Sequence, residues 1–251
     1  MKLSGKVALI SGGDRGIGKG IALALAKEGA DIAFNYRRDT GSAEGTVAEI
    51  EAVGRRALSV QADVTDYEQV KAVVARTVET FGRIDILVNN AGIASRGRFV
   101  ADTGADEMER LFNVHVMGAF YFIKEALPVL RKQKRGDIIN ISSVSPFSCM
   151  AGHGPYAVAK AGLNALSSVL AKEELKNNIR VNTIACGLVE TDMGTRLVKG
   201  MGMDLKDLAA TLPFGRVCSP QDVGSLCVFL CSEEGGYISG HPVFLDGGAV
   251  Y

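Results

Sequence analysis

Ser143, Tyr156 and Lys160 are the residues of this chain whose types and spacing could do chemistry together. Tyr156 and Lys160 stand four positions apart, which places them on one face of a helix. A free phenol titrates at about 10, too high to exchange protons readily at neutral pH, and a nearby ammonium lowers that value by favouring the phenolate. A tyrosine tuned in this way can act as general acid toward a carbonyl oxygen, or as general base toward an alcohol. Ser143 comes thirteen residues before Tyr156, and its hydroxyl could donate to a carbonyl oxygen as negative charge develops there. A Y-x-x-x-K spacing is common by chance, so its weight depends on what accompanies it. No histidine stands in a nucleophile-elbow context, which disfavours a serine hydrolase.

These three side chains need a scaffold, and the apolar pattern supplies one. Short apolar runs at residues 7–10, 32–34, 57–60, 84–88, 138–141, 179–184 and 243–245 read as seven strands buried on both faces. Helical spacing recurs between them. Val70, Val73, Val74, Thr77, Val78 and Phe81 fall on one helical face, and residues 16–29, 42–53, 105–133, 154–176 and 220–231 read the same way. This alternation predicts an α/β fold: a doubly wound, Rossmann-type, seven-stranded parallel sheet with helices on both faces. Ser143 follows the fifth strand, and Tyr156 and Lys160 lie on the helix after it. No repeat, low-complexity stretch or linker divides the sequence, so residues 1–251 read as a single domain. Residues 187–216 carry no strand signal and only a weak helical pattern near 204–212. They lie past a strand end, where ligands bind in such sheets, and read as a flap over the substrate.

A glycine loop, Ser11-Gly12-Gly13-Asp14-Arg15-Gly16-Ile17-Gly18, follows the first strand and opens the first helix. Glycines let the turn tighten, and the helix N-terminus offers unpaired N–H groups to a pyrophosphate. Gly12, Asp14, Arg15, Gly16, Ile17 and Gly18 are therefore candidate cofactor residues. The G-x-x-x-G-x-G spacing differs from the commoner G-x-G-x-x-G, and a glycine-rich turn with no ligand would show the same residues. An acidic residue at the end of the second strand would bind the ribose 2′-hydroxyl of NAD, but the chain reads Asn35-Tyr36-Arg37-Arg38 there. Arg37, with Arg15, could clamp a 2′-phosphate, so NADP is expected over NAD, with Tyr36 beside it. Asp39 is a competing partner for either arginine. Asp63-Val64 ends the third strand, and the carboxylate could accept from the adenine amino group. A helix cap is its competing role, for which Thr65 and Asp66 are better placed. Asn89-Asn90-Ala91-Gly92 ends the fourth strand, small enough for a cofactor to lie flat, with asparagine side chains bonding to backbone. Lys160, with three donors, could hold the nicotinamide ribose hydroxyls.

Composition excludes several classes. Lys plus Arg and Asp plus Glu are both 28, and this zero net charge argues against a nucleic-acid partner. The one basic run, Arg131–Arg135, falls where a helix should end and would complement its dipole. No apolar stretch reaches the roughly 20 residues of a membrane span, and the first residues lack a signal-peptide plan. A cytoplasmic protein with no membrane partner is expected. Cys149, Cys186, Cys218, Cys227 and Cys231 form no C-x-x-C pair and lack ligand partners at metal spacing, so they read as free thiols with no metal.

In combination, Ser11–Gly18, Asp63, Asn89–Gly92, Ser143, Tyr156 with Lys160, and Phe244–Gly248 resemble the short-chain dehydrogenase/reductase family over nearly the whole length. Within it the chain is most similar to the 3-oxoacyl-acyl-carrier-protein-reductase-like group, which mostly uses NADPH. The resemblance implies hydride transfer between a nicotinamide and a carbonyl or alcohol, with a ketone or acyl thioester as substrate. It also implies a homotetramer, and contacts from Val189 and Thr191 to the nicotinamide carboxamide. Two positions depart from the family pattern. His115 stands where an asparagine usually supports a proton-carrying water; it could substitute, titrate near neutrality or simply pack. Cys186-Gly187 replaces the usual Pro-Gly, which should loosen the turn beneath the nicotinamide. Phe147, Met150, Met193 and Leu197 suggest an apolar pocket lining. Arg96 and Arg98 are candidates for the basic patch that an acyl-carrier-protein partner would need. An alcohol or sugar dehydrogenase, and a cofactor-binding regulator without turnover, are the competing readings.

Overall fold

The computed structural model describes residues 1–133 and 135–248. The apolar runs form the strands β1 (Val7–Ser11), β2 (Asp31–Tyr36), β3 (Ala57–Gln61), β4 (Ile86–Asn89), β5 (Gly136–Ser143), β6 (Ile179–Cys186) and β7 (Pro242–Leu245). They pair in parallel in the order β3-β2-β1-β4-β5-β6-β7. β1 and β2 are buried along their whole length, as continuous apolar runs require. Helices α1 (Gly16–Lys27), α2 (Thr40–Ala52), α3 (Tyr67–Phe81), α4 (Ala105–Phe112), α5 (Gly118–Lys132), α6 (Ser145–Ser148), α7 (Gly154–Glu174), α8 (Asp192–Gly200), α9 (Leu205–Thr211) and α10 (Pro220–Cys231) complete the fold.

Side chains alternate between two cores. Ile10, Ile32 and Phe34 pack with Ile21 and Leu25 of α1 and Val223 and Leu230 of α10. Leu9 and Ala33 pack on the other side with Val70, Val73 and Val74 of α3 and Phe122 and Leu130 of α5. α1 and α10 approach closely at two glycines. A Cβ added at Gly20 would lie 2.5 Å from the Pro220 Cβ, and one at Gly224 would lie 2.7 Å from the Ala24 Cβ. The Ser219–Asp222 capping box and Pro220 in the first turn start α10 where the sequence places it.

Two segments differ from the sequence reading. The stretch 105–133 is helical but not one α-helix: Asn113–Met117 forms a π-helical turn between α4 and α5. A single extra residue in a turn leaves the apolar periodicity nearly intact, so the pattern hides it. The segment 187–216, expected to be a flap, contains α8 as well as α9, and Val189 makes a parallel bridge to Cys218. Glycines mask α8 in the sequence, although Thr191 caps it by accepting the Gly194 N–H at 3.1 Å.

The entry edge of the sheet is fixed by aspartates. Asp31 pairs with Arg55 at 2.6 Å and Arg56 at 2.9 Å, and Asp85 pairs with Arg83 at 2.6 Å. Asp137, at the start of β5, lies 2.6 Å from Arg180 and 3.7 Å from Lys6. Burial pushes the Asp137 carboxyl up to about 6 despite these cations. In the basic run, Arg131 pairs with Glu174 and Arg135 with Glu233, so these cations do more than complement a dipole. Lys134 lies outside the described residues. Among the described residues no helix is long and apolar enough to cross a membrane.

Candidate active site

Ser143 is the last residue of β5 and Tyr156 the third of α7, with Pro155 in the helix's first turn fixing its start. The Ser143 hydroxyl accepts the Ser145 N–H at 3.1 Å and is near enough to the Tyr156 phenol to favour its ionised form. Lys160, one turn along α7, is only 4% exposed. Its Nζ donates to the Ile141 carbonyl at 2.6 Å and lies 5.7 Å from the centre of the Tyr156 ring. The structure thus brings all three together. It corrects their electrostatics: burial pushes Tyr156 up to about 12, the nearby Cys186 thiol acts in the same direction, and the Ser143 hydroxyl only partly opposes them. Burial also lowers Lys160 to about 8. Burial, and not the expected lowering by an ammonium, governs the phenol, which is protonated at neutral pH.

His115 sits in the π-helical turn, 3% exposed. Burial, with the Lys160 charge as the next cause, lowers its pKa to about 3, which overturns titration near neutrality. Its Nε2 lies 2.9 Å from the Ile93 carbonyl. A cavity of about 10 Å³, lined by Ser11, Asn89, His115, Ile141 and Lys160 among others, matches the size of one water.

The candidate cofactor residues gather at the point where the strand order reverses, between β1 and β4. Ser11 Oγ accepts the N–H groups of Asn90 at 2.9 Å and Ala91 at 3.0 Å, bridging the two strand ends. Asn90 holds the glycine loop through Nδ2, donating to the Ser11 and Gly12 carbonyls at 3.0 and 2.8 Å. Asn89 instead donates to the side chain of Asn140 at 2.7 Å, away from the backbone role expected of it. Gly12 has φ +66 and Gly16 φ +54, the left-handed region that suits glycine. A Cβ on Gly18 would lie 2.0 Å from the Gly12 carbonyl oxygen, so only glycine closes this turn. Arg15 precedes α1 without a side-chain cap, which leaves the first-turn amides of Gly16, Ile17 and Gly18 for an anion. Thr191 Cγ2 would lie 3.3 Å from a Cβ on Gly16, which puts the start of segment 187–216 against the same loop.

A wider cavity of about 370 Å³ opens beside the end of β3, lined by Arg37, Asp63, Thr65, Ile93, Arg110 and Val114 among others. Arg37 Nη1 is 4.0 Å from Asp63 Oδ2, and Asp63 Oδ1 accepts from Thr65 at 3.0 Å (N–H) and 2.8 Å (hydroxyl). One Asp63 oxygen thus remains for a ligand, with Val64 buried behind it. Asp39 is spent on capping α2 through Ser42, and Asp66 caps α3. Arg15 and Arg37 keep side chains 63% and 50% exposed beside the loop and this cavity, while Tyr36 is buried. These features fit a nicotinamide dinucleotide.

The sequence reading missed Glu107. Its buried carboxylate accepts from the Ser95 hydroxyl at 2.9 Å and the Arg96 N–H at 2.6 Å, pinning the loop that follows β4. An acidic residue in the first turn of α4 was the available signal. Arg96 also pairs with Asp106 at 3.2 Å, which offsets one of the two cations of the expected Arg96–Arg98 patch. Phe99, Val100, Phe147, Met150, Leu197 and Phe214 are exposed apolar side chains, and Val100 lies against Gly154 at the start of α7, 3.1 Å from where a Cβ would stand. Phe147 is anchored edge-on to Phe244 with ring centres 4.7 Å apart.

A parallel sheet wound in both directions from a glycine turn at its reversal point is the architecture of the Rossmann-type oxidoreductases. A family model described as enoyl-(acyl carrier protein) reductase matches residues 12–250. The chain belongs to the short-chain dehydrogenase/reductase family and is an oxidoreductase. It is 36% identical to the 3-oxoacyl-acyl-carrier-protein reductase of Thermotoga maritima over 251 residues, covering 100% of both chains. It is also 36% identical to the L-rhamnose 1-dehydrogenase (NAD(P)(+)) of Sphingomonas sp. (strain SKA58), over 98% of this chain and 96% of that one. The solved structure of NAD+-bound xylitol dehydrogenase superposes with a TM-score of 0.93 at 28% identity, covering 99% of this chain and 100% of the other.

Proposed function

We propose that this enzyme is an NADP-dependent carbonyl reductase that reduces a ketone or 3-oxoacyl group to the alcohol, reversibly. The observation that carries the reading is Lys160 buried one turn behind Tyr156, its Nζ 5.7 Å from the ring centre and donating to the carbonyl of Ile141 on the strand that ends at Ser143. A bound nicotinamide would supply the hydride to the carbonyl carbon. Tyr156 would give its proton to the carbonyl oxygen, and its raised pKa keeps that proton in place at neutral pH. Ser143 would donate to the same oxygen, and Lys160 would hold the ribose hydroxyls. Gly12, Asp14, Gly16, Ile17 and Gly18 would cradle the pyrophosphate, Asp63 and Val64 the adenine, Asn90, Ala91 and Gly92 the inner edge, and Val189 and Thr191 the carboxamide. The apolar Val100 beside the start of α7 and the apolar Phe147 on α6 favour a ketone or acyl group over the sugar substrates that some relatives' names carry. Exposed Phe112, Phe120, Val158 and Val169 on α4, α5 and α7 support assembly as a homotetramer. The test is NADPH oxidation with ketones and acetoacetyl thioesters, set against NADP+ reduction with rhamnose and xylitol. Cofactor binding with no turnover of any of them would mark a regulator instead.

Arg37→Ala is expected to weaken NADPH by about 1.5–3 kcal/mol, roughly 10- to 150-fold, through loss of charge-assisted bonds to a 2′-phosphate. NADH should be nearly unaffected. Equal rises in KM for both cofactors would sink the clamp.

The pH dependence follows from the two shifted groups. Tyr156, pushed to about 12, stays protonated through the working range, and Lys160, lowered to about 8, is an ammonium below that value and neutral above it. Reduction should be level from pH 6 to about 8 and fall above it, while alcohol oxidation rises with pH as the phenol releases its proton more readily. Paired kcat/KM profiles in both directions check this; a reduction rate that climbs above pH 8 contradicts it.

A further inference from the structure

We propose that His115 is a positioning residue that couples the Asn90–Ile93 segment to the Tyr156 ring. Three independent contacts lead there. The Nε2 atom lies 2.9 Å from the Ile93 carbonyl, and a carbonyl can only accept, so Nε2 carries the ring proton and Nδ1 is the bare nitrogen. The Ile93 N–H lies 3.3 Å from the same Nε2, which in this tautomer cannot serve it as well. The imidazole rests on Gly92: a Cβ there would be 2.7 Å from Cε1 and 3.2 Å from Nδ1. The imidazole and the Tyr156 ring stand at 90° to each other, with centres 5.3 Å apart. The Nδ1 atom is buried and has no hydrogen-bond partner among the described residues.

These facts separate geometry from proton transfer. An imidazole held neutral by burial beside Lys160 is neither a useful acid nor a cation at physiological pH. What it offers is a donor at one end and an aromatic ring at the other. A carboxamide in its place could both donate to and accept from Ile93, but it has no ring to steady Tyr156. The π-helical turn brings His115 to this spot, and such turns are frequent at functional sites.

The inference rests on Tyr156 acting as the proton donor, and two substitutions divide the two contacts. His115→Asn keeps a donor for Ile93 and loses the ring. It should lower kcat by about fivefold, the scale of an aromatic contact, and leave the Kd for NADPH, read by its fluorescence, within about twofold. His115→Phe keeps an aromatic ring and loses the donor, so it should weaken NADPH by about fivefold with a smaller effect on kcat. The pH profile of alcohol oxidation should shift in the asparagine variant only. Parallel changes in kcat, Kd and melting temperature in both variants would reduce His115 to packing. A wild-type limb near pH 6.5 that vanishes in His115→Asn would make it a proton carrier instead. If Tyr156→Phe turns over like wild type, the proton-donor reading itself fails. If Tyr156→Phe is inactive and the His115 variants show no split, this inference alone fails.

Discussion

Tyr156→Phe is expected to cut kcat for ketone reduction by about 10³-fold, equivalent to about 4 kcal/mol of transition-state stabilisation. The substitution removes one oxygen and leaves the ring, so the edge contact with His115 survives. Ser143 still accepts the Ser145 N–H. The Lys160 bond to Ile141 does not involve the phenol at all. NADPH affinity should therefore stay within about twofold while turnover collapses, the mark of an interaction made only in the transition state. Ser143→Ala should be milder, a loss of about 10²-fold, because it removes a donor and not the proton itself. Steady-state kinetics with a fixed ketone decide the matter, and a Tyr156→Phe enzyme within tenfold of wild type would refute the proton-donor role.

The largest loss of stability is expected at the opposite edge of the sheet. Asp137 is 1% exposed and stands between Arg180 and Lys6, and the Arg180 side chain is itself only 12% exposed. At pH 7 the carboxyl, although pushed up to about 6, is ionised and faces both cations. Asp137→Ala leaves a nearly buried guanidinium without its anion, which costs about 3–5 kcal/mol. For a chain of this size that corresponds to roughly 6–20 °C in Tm. Removing both charges together, as Asp137→Ala with Arg180→Met, should recover most of the loss, since a buried pair replaced by apolar groups is often neutral. Thermal melts of the two variants test this. A single variant as stable as wild type, or a double variant no better than the single, would show that the pair does not hold this edge.

The sequence disclosed most of the fold because a parallel sheet covered on both faces leaves a plain signal. Each strand is a short apolar run, and β1 and β2 are buried at every residue. Ser143, Tyr156 and Lys160 were legible because one strand end and one helical turn suffice to bring them together. The π-helical turn was not, because one added residue barely disturbs a helical period. Nor was the state of the site's charges. A neutral His115, a raised Tyr156 and a lowered Lys160 all follow from burial, and burial belongs to the packed chain. Glu107 was missed for a similar reason, since an acid in the first turn of a helix is ordinarily solvated and here faces inward.

The close approach at Gly20 and Gly224 sets an order of events during synthesis. The glycine loop opens α1, and the surface that covers α1 is α10, which begins roughly 200 residues later in the chain. A ribosome adding about 5–20 residues per second therefore exposes that first helix for roughly 10–40 s before its cover exists. The glycine loop is among the first parts made, and the helix that covers α1 is among the last. Chains truncated before α10 should emerge with a glycine loop that cannot hold a cofactor.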